Sequence, residues 1–458
     1  MPPGVYPTGT TIYYPEKCWN GYTLFQSELH RDNSRGAVLI DMNGNVVNRW
    51  KGLDGFPNKM LPGGHVMGST GVRNFKYGYQ DMVDLVEVDW EGNIVWTFDK
   101  YELVKDPRQL PRWMARQHHD YQREGNPVGY YVPGMEPRVS GGNTLILCHK
   151  NLKNPRLSDK LLIDDTIIEV DRQGKITWEW ICSEHFGEMG FSVRAKKTLS
   201  RNPGMKPAGG MGDWMHMNSM STLGPNRFFD NGDGRFHPDN VIWDGRQTNI
   251  TAIIDRKTGK IVWQLGPYFT ATVALRKIGQ IIGQHHAHMI PRGLPGEGNI
   301  LVFDNGGSAG YGASNPGAPS GIDNARRDFS RVLEFNPVTL EVIWQYPPPG
   351  PGANRFYSSF VSSAQRLPNG NTLITEGNSG RIIEVTAAHE TLWEYLSPYN
   401  HRMLKINLLY RAYRVPYSWA PLPEKPKETA IPRIDNKKFR VPGSPKPQRE
   451  KVTTIKPK

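Results

Sequence analysis

Six times along the chain, a short apolar stretch, a turn built on Gly or Asn and a second stretch ending in Trp follow one another. They are VLIDMNGNVVNRW (38–50), LVEVDWEGNIVW (85–96), IIEVDRQGKITW (167–178), AIIDRKTGKIVW (252–263), VLEFNPVTLEVIW (332–344) and IIEVTAAHETLW (382–393). Strand side chains alternate with period two, so apolar–polar alternation on both sides of a D-x-x-G or N-G turn predicts an antiparallel hairpin at each. Between the hairpins lies a second element, Gly-Asn followed by an apolar strand: GGNTLILC at Gly141, GEGNILVF at Gly296 and PNGNTLIT at Pro368.

Together the two elements supply about four strands per repeat, the strand content of a β-propeller blade. The chain is therefore expected to be all-β, a six-bladed β-propeller closing around a central channel with few exposed edges. Two β-sandwich domains are the competing arrangement, but they give no reason for a Trp at the end of every hairpin. The expected organisation is an N-terminal segment (1–37) that helps close the ring, a propeller domain (38–420) and a basic, Pro-rich C-terminal extension (421–458). In that closure the strand around Tyr22 and Phe25 completes the last blade.

Composition narrows the class without changing it. The 458 residues hold 48 Gly, 37 Pro and 10% aromatics, as a loop-rich β protein does, and 22% charged residues argue against global disorder. No apolar run approaches the roughly 20 residues of a membrane helix, so no membrane span is expected. The N-terminus has neither a basic nor an apolar leader region, which points to a cytoplasmic protein, or a periplasmic one if a targeting segment is missing. Cys18, Cys148 and Cys182 are scattered and odd in number, against a disulfide framework. Net charge is +12, and from Lys425 onward eleven basic residues face three acidic ones. That stretch reads as a solvated or wrapping terminus, and no nucleic-acid partner is expected. Oligomeric state leaves no mark in the sequence.

Histidines gather in three places: Gln117-His118-His119-Asp120, Asp213-Trp214-Met215-His216-Met217-Asn218-Ser219, and Gln284-His285-His286-Ala287-His288. The inner strands of a propeller point at one channel mouth, so three clusters on three blades can form one site. Arg246, in WDGRQTN, belongs to the same neighbourhood. A guanidinium beside several imidazoles suits an oxyanion such as sulfate, phosphate or carboxylate. Any one of these histidines alone is as well explained as a satisfied core residue. Asp120 and Asn218 suit orienting a His or capping a turn. Tyr357, Ser362 and Ser363 fall at the corresponding position of a later blade. The small-residue loop 306–321 reads as a mobile lid or a surface insertion.

These segments resemble the bacterial arylsulfate sulfotransferases, which move a sulfuryl group between phenols without a nucleotide donor. The resemblance is carried by HMNS at His216, DNVIWDGRQTN with Arg246, AIIDRKTGKIVWQLGP, QHHAHMIPRGLPGEGNILVFDNGG from Gln284, QHHD at Gln117 and NLLYRAYRVPYSW from Asn407. It implies a six-bladed propeller in which a His at the channel mouth attacks the sulfur of an aryl sulfate and a phenol accepts the group. It also implies catalytic roles for His285 as nucleophile and for His216, His119 and Arg246. Asn218, His118, His286 and His288 would contact substrate, as would Tyr357 by its blade position, with no cofactor and no metal. Where the family has Q-H-D, this chain has Gln284-His285-His286, so the acid after the nucleophile is replaced.

Other activities fit parts of the pattern. A propeller polysaccharide lyase would use Arg against a uronate carboxylate and His or Tyr as base. A metal-dependent hydrolase or oxidase would use imidazole ligands, for which His286-Ala287-His288 is a weak signal. A non-catalytic binding platform is the third alternative, and it leaves Arg246 and the His clusters without a purpose.

Overall fold

The computed structural model describes residues 8–27, 35–73, 79–204, 212–311, 322–350, 356–400, 406–433, 435 and 453. Six antiparallel sheets form the blades of a propeller. Blade 2 runs Lys59–Met60, Val66–Gly68, Leu85–Val88 and Ile94–Phe98, and blade 3 runs Gln117–Arg123, Thr144–Asn154, Ser158–Val170 and Ile176–Ile181. Blade 4 comprises Met217–Thr222, Val241–Gly245, Ile250–Ile254 and Ile261–Leu265. Blade 5 comprises His285–Met289, Ile300–Asp304, Arg331–Phe335 and Val342–Tyr346, and blade 6 comprises Ser363–Arg366, Thr372–Glu376, Arg381–Val385 and Thr391–Leu396. All six sequence hairpins are the third and fourth strands of a blade, counted from the axis.

Ring closure differs from the expected one. Tyr22–Ser27 does not complete the last blade; with Gly36–Ile40 and Val46–Lys51 it builds blade 1. The inner strand of blade 1 comes instead from the other end of the chain, Ala412–Val415, paired Tyr22↔Val415 through Phe25↔Ala412. Gly9–Tyr13 is the segment that joins the last blade, as a fifth, outermost strand against Thr391–Leu396. The physical reason lies in the alternation. Leu24 points into the apolar wedge shared with blade 2 and Phe25 into the wedge shared with blade 6, so this strand is buried on both faces and must sit inside a blade. The described start of the basic extension is not free either, since Tyr13 and Ile431 exchange backbone hydrogen bonds at 2.7 and 2.9 Å. Residues 434, 436–452 and 454–458 of the extension, and 312–321 of the lid reading, lie outside the described residues. The described base of that loop is ordered into Ala309–Tyr311 paired with Ile322–Ala325. All three cysteines are free.

The core is not one mass but six wedges, one between each pair of neighbouring blades. Ile146, Ile168 and Val170 face Leu85 and Trp96 of blade 2, while Leu147 and Ile167 on the same strands face Val241, Trp243 and Ile250 of blade 4. Strands buried on both faces are why these segments read as near-continuous apolar runs.

The recurring Trp has a common task. Its indole N–H donates to a carbonyl in the hairpin turn of the next blade: Trp50 to Asp89 (2.9 Å), Trp96 to Arg172 (2.9 Å), Trp178 to Arg256 (3.2 Å), Trp263 to Pro337 (2.8 Å) and Trp344 to Ala387 (3.0 Å). Trp393 then donates to Met42 of blade 1 at 2.7 Å and closes the circle. Phe lacks the donor, and since Met42 O also accepts from Thr10 Oγ1 at 3.2 Å, the loss is that of one hydrogen bond, about 0.5–1.5 kcal/mol net. Trp393→Phe is therefore expected to lose about that much in urea unfolding. The same change at Trp113, which is 53% exposed, should cost under about 0.5 kcal/mol. Equal losses at the two positions would refute the relay.

Candidate active site

Three inner strands carry the same irregularity. His119, His216 and His286 have φ of 54°, 54° and 56°, in the left-handed region that β-chains avoid. The register of each inner strand against its neighbour shifts there: between Gln117 and Tyr121, Met217 and Ser219, and His285 and His288. Such strained residues cost of order 1–3 kcal/mol each and concentrate at functional sites. The kink redirects each His-bearing segment at the channel mouth.

Four imidazoles then line up. His149 stacks on His118 with ring centroids 3.7 Å apart, His118 Nδ1 lies 2.8 Å from His119 Nδ1, and His119 meets His216 edge to face at 4.8 Å. His216 Nδ1 donates to Asp213 Oδ2 at 2.6 Å, which turns Nε2 away from the carboxylate. His285 joins from blade 5. Val361 N–H donates to its Nε2 at 3.1 Å, so Nδ1 carries the proton and donates to Asn305 Oδ1 at 2.7 Å. Asn305 in turn donates to the carbonyls of Ser358 and Val361. That loop approaches so closely that a Cβ on Gly307 would stand 1.9 Å from Ser359 O. Arg246 follows the second strand of blade 4, and its backbone N–H donates to His216 O at 3.0 Å.

Burial pushes the His119 and His285 pKa values well below the ordinary imidazole range. The charge of Arg246 adds to this at His285, and His216 and His118 add to it at His119. His118 is driven down to about 4 by burial and by His149. For Asp213, burial alone would raise the pKa, but His216 holds it below its usual value. His149 goes the other way: burial lowers it, yet Asp81, Asp213 and Asp165 together bring it above the usual value.

Below the mouth a second polar network fastens the inner strands. Asp120 accepts from Lys59 Nζ at 2.5 Å and from Arg411 Nη1 at 2.8 Å, and Arg411 also donates to Asn218 O. Asp244 accepts from Ser219 Oγ of its own blade and, at 2.8 Å, from Ala287 N–H of the next.

The matched region decides the family. A family model described as Arylsulfotransferase (ASST) matches residues 137–410, which include His149, Asp213, His216, Arg246 and His285. The chain belongs to the arylsulfotransferase family. No curated protein matches the sequence. Similar solved structures include a protein of unknown function from Bacteroides caccae, at 10% identity over 86% of this chain and 99% of that one, TM-score 0.43. A putative 6-phosphogluconolactonase from Bacteroides fragilis shows 10% identity over 88% and 100%, TM-score 0.35. A virginiamycin B lyase from Staphylococcus aureus shows 11% over 86% and 86%, TM-score 0.34. None of the three bears on what this arylsulfotransferase-family chain does.

In this family member the structure brings His118, His119, His216, His285 and Arg246 into one neighbourhood. Asn218 points elsewhere, donating to Gln284 O at 3.0 Å and so tying blade 4 to blade 5. His286 and His288 form a separate pair: His286 Nδ1 donates to Ala364 O, and His288 is held between His286 O and the Tyr130 hydroxyl. Tyr357 is half-buried, with its backbone N–H directed to Glu376; Val361 is the residue of that loop that reaches a histidine. Sequence reasoning missed His149, Asp165 and Asn305, gave Asp213 no role, and also missed Phe56 and Tyr410, whose rings flank His119 at 5.6 and 5.7 Å. One signal was available: Asp164 and Asp165 interrupt the apolar run LLIDDTIIEV. A cleft of about 800 Å³ lies elsewhere, lined by Gln122, Asn126, Thr222 and Arg256 and by no histidine.

Burial raises the Asp244 pKa to about 7, with Arg411 opposing and Asp120 reinforcing the shift. Its favourable neutral form is fully present below about pH 4 and is lost as pH rises through about 7. Wild-type protein should therefore lose stability relative to Asp244→Asn across that window, by at most about 1.4 kcal/mol per pH unit, with a constant difference outside it. Urea unfolding of both proteins at several pH values reads this. A pH-independent difference would mean that Asp244 is ionised throughout.

Proposed function

We propose that this chain transfers a sulfuryl group from an aryl sulfate to a phenolic acceptor through a sulfo-histidine intermediate. The observation that carries the reading is the meeting of three imidazoles from three blades, His119, His216 and His285, beside Arg246 in an arylsulfotransferase-family propeller.

His285 is the first nucleophile to consider. Asn305 holds the proton on Nδ1, so the lone pair sits on Nε2. Neutral imidazole attacks at pH 7, and burial with the Arg246 charge keeps it neutral. In the step, the Nε2 pair forms the N–S bond while the sulfur–aryl oxygen bond breaks and phenolate leaves. The Val361 N–H, released from Nε2, then stands beside the sulfuryl oxygens as a donor. In the second step the acceptor phenol oxygen takes the sulfuryl group, its proton passes to the phenolate released in the first step, and the N–S electron pair returns to Nε2. Arg246 and His119 act as donors toward the charge spread over the sulfuryl oxygens, as transfer through a loose transition state requires.

A specific observation favours His216 as the alternative nucleophile. Asp213, 2.6 Å from Nδ1, fixes the tautomer that leaves its Nε2 as acceptor. The lyase reading needs a base poised beside a uronate-binding Arg, and the geometry offers nothing further for it.

Protein incubated with 4-nitrophenyl sulfate, with and without phenol, followed by intact mass and peptide mapping, tests the proposal. Phenol-dependent nitrophenol release and a sulfuryl adduct on the peptide holding His285 are expected, with the adduct absent in His285→Ala. An adduct that persists there and vanishes in His216→Ala assigns the nucleophile to His216. Arg246→Ala should lower kcat/KM about 10²–10³-fold. Wild-type kinetics in that variant, with no adduct in either protein, would refute sulfuryl transfer.

A further inference from the structure

Behind His119 lies a group of side chains that the transfer chemistry leaves unexplained. The second and third strands of blade 3, Thr144–Asn154 and Ser158–Val170, are about twice as long as the usual strand of five to six residues, so their hairpin runs on past Cys148, where the inner strand begins at Gln117. His149 and Asp165 are directly paired in that extension, and the His118 ring stacks on His149. One ligand atom from each of His118, His149 and Asp165 lies within 4.8 Å of the others. His118 Nε2 is 3.2 Å and His149 Nε2 4.0 Å from Asp165 Oδ1.

All three residues are at most 2% exposed, and their polar atoms lack partners. His118 Nε2, both nitrogens of His149 and Asp165 Oδ2 accept or donate no hydrogen bond, and neither do Asp81 Oδ1 and Asp213 Oδ1 beside them. The 3.2 Å approach of His118 to Asp165 has ion-pair length without hydrogen-bond alignment. Buried polar atoms left unpaired cost about 1–3 kcal/mol each, so such a concentration of them calls for an occupant.

We propose that His118, His149 and Asp165 form a buried site for a first-row divalent cation of the zinc or cobalt type. Two imidazoles and a carboxylate are the donor set such ions take, at about 2.0–2.2 Å per bond. The supporting shell is in place. Met217 N–H donates to Asp165 Oδ1 at 3.1 Å, and His149 Nδ1 faces Asp81 Oδ1 at 3.6 Å. Arg116 and Arg73 hold Asp81 in turn. A carboxylate behind a ligating His is the arrangement that orients the ring and raises its basicity.

The site bears on the reaction through the imidazole row, a consequence that rests on the sulfuryl-transfer reading. A cation on His118 Nε2 leaves the proton on Nδ1, which donates to His119 Nδ1 across 2.8 Å. His119 then keeps its own proton on Nε2 and faces the channel as a donor, not as a nucleophile. The cation would thereby divide the roles within the row.

The test is metal content, which does not depend on any sulfuryl transfer. Full-length protein is treated with a chelator, dialysed against Zn²⁺ or Co²⁺, freed of excess metal and analysed for bound metal. One equivalent per chain is expected in wild type and in His237→Gln, which removes a half-exposed surface imidazole, with loss of that metal in His149→Gln and Asp165→Asn. Should either variant fail to fold, the visible spectrum of the Co²⁺-loaded wild type decides, through ligand-field bands of a nitrogen–oxygen site. Absence of a stoichiometric ion from wild type, absence of those bands, or full retention by folded His149→Gln would overturn the proposal.

Discussion

Each hairpin tryptophan gives its indole N–H to a turn carbonyl of the following blade, and the sixth of these bonds runs from the last blade back to the first. Everything else about the ring depends on this relation being repeated without a gap. Blades are held by apolar wedges that carry no directional information, because Leu, Ile and Val pack at many angles. The Trp donor is directional and sets how far one blade is turned against the next. Constant rotation brings six inner strands to one axis, and the histidine-bearing segments of three of them meet there.

At the axis, stability and reactivity share residues. Asp120 holds Lys59 and Arg411 together, and each comes from a different part of the chain. Arg411 also acts on His285, His286 and His288, each of which it makes harder to protonate. The cation that ties the C-terminal segment to the inner strands thus helps keep the imidazoles neutral. A buried carboxylate facing two buried cations leaves a positive excess, and a sulfate ester is an anion.

The blades were legible from sequence because both of their signals are local. Alternation around a Gly or Asn turn survives in a window of about a dozen residues, and Trp50 through Trp393 marked every repeat. His119, His216 and His285 were legible because inner strands converge by construction. What escaped was set by geometry beyond the window. His149 sits in CHKN and Asp213 in GDWM, with no spacing that marks them, and they matter only because a hairpin runs on past the start of the inner strand and a turn folds back onto His216. Asn218 has a second task that its motif position does not show: its amide reaches across to Gln284 O and serves the seam between two blades. Closure was misplaced because sequence order favours pairing an early strand with the last blade, whereas burial of Leu24 and Phe25 on opposite faces requires a strand with neighbours on both sides.

The pairing of Ala412–Val415 with Tyr22–Ser27 has a consequence for the order in which the chain is made. Synthesis proceeds from the N-terminus, so blade 1 is complete except for its innermost strand while the 360 residues from 52 to 411 emerge. Through that interval it presents a bare apolar edge, the kind of surface that templates wrong pairings. No partial ribosomal product can hold the closed ring, and the axial meeting of Asp120 with Arg411 waits on the same late segment. The site is therefore assembled only once Ala412–Val415 has emerged, and a chain that stops just short of that strand contains every histidine of the site but no mouth for them to face.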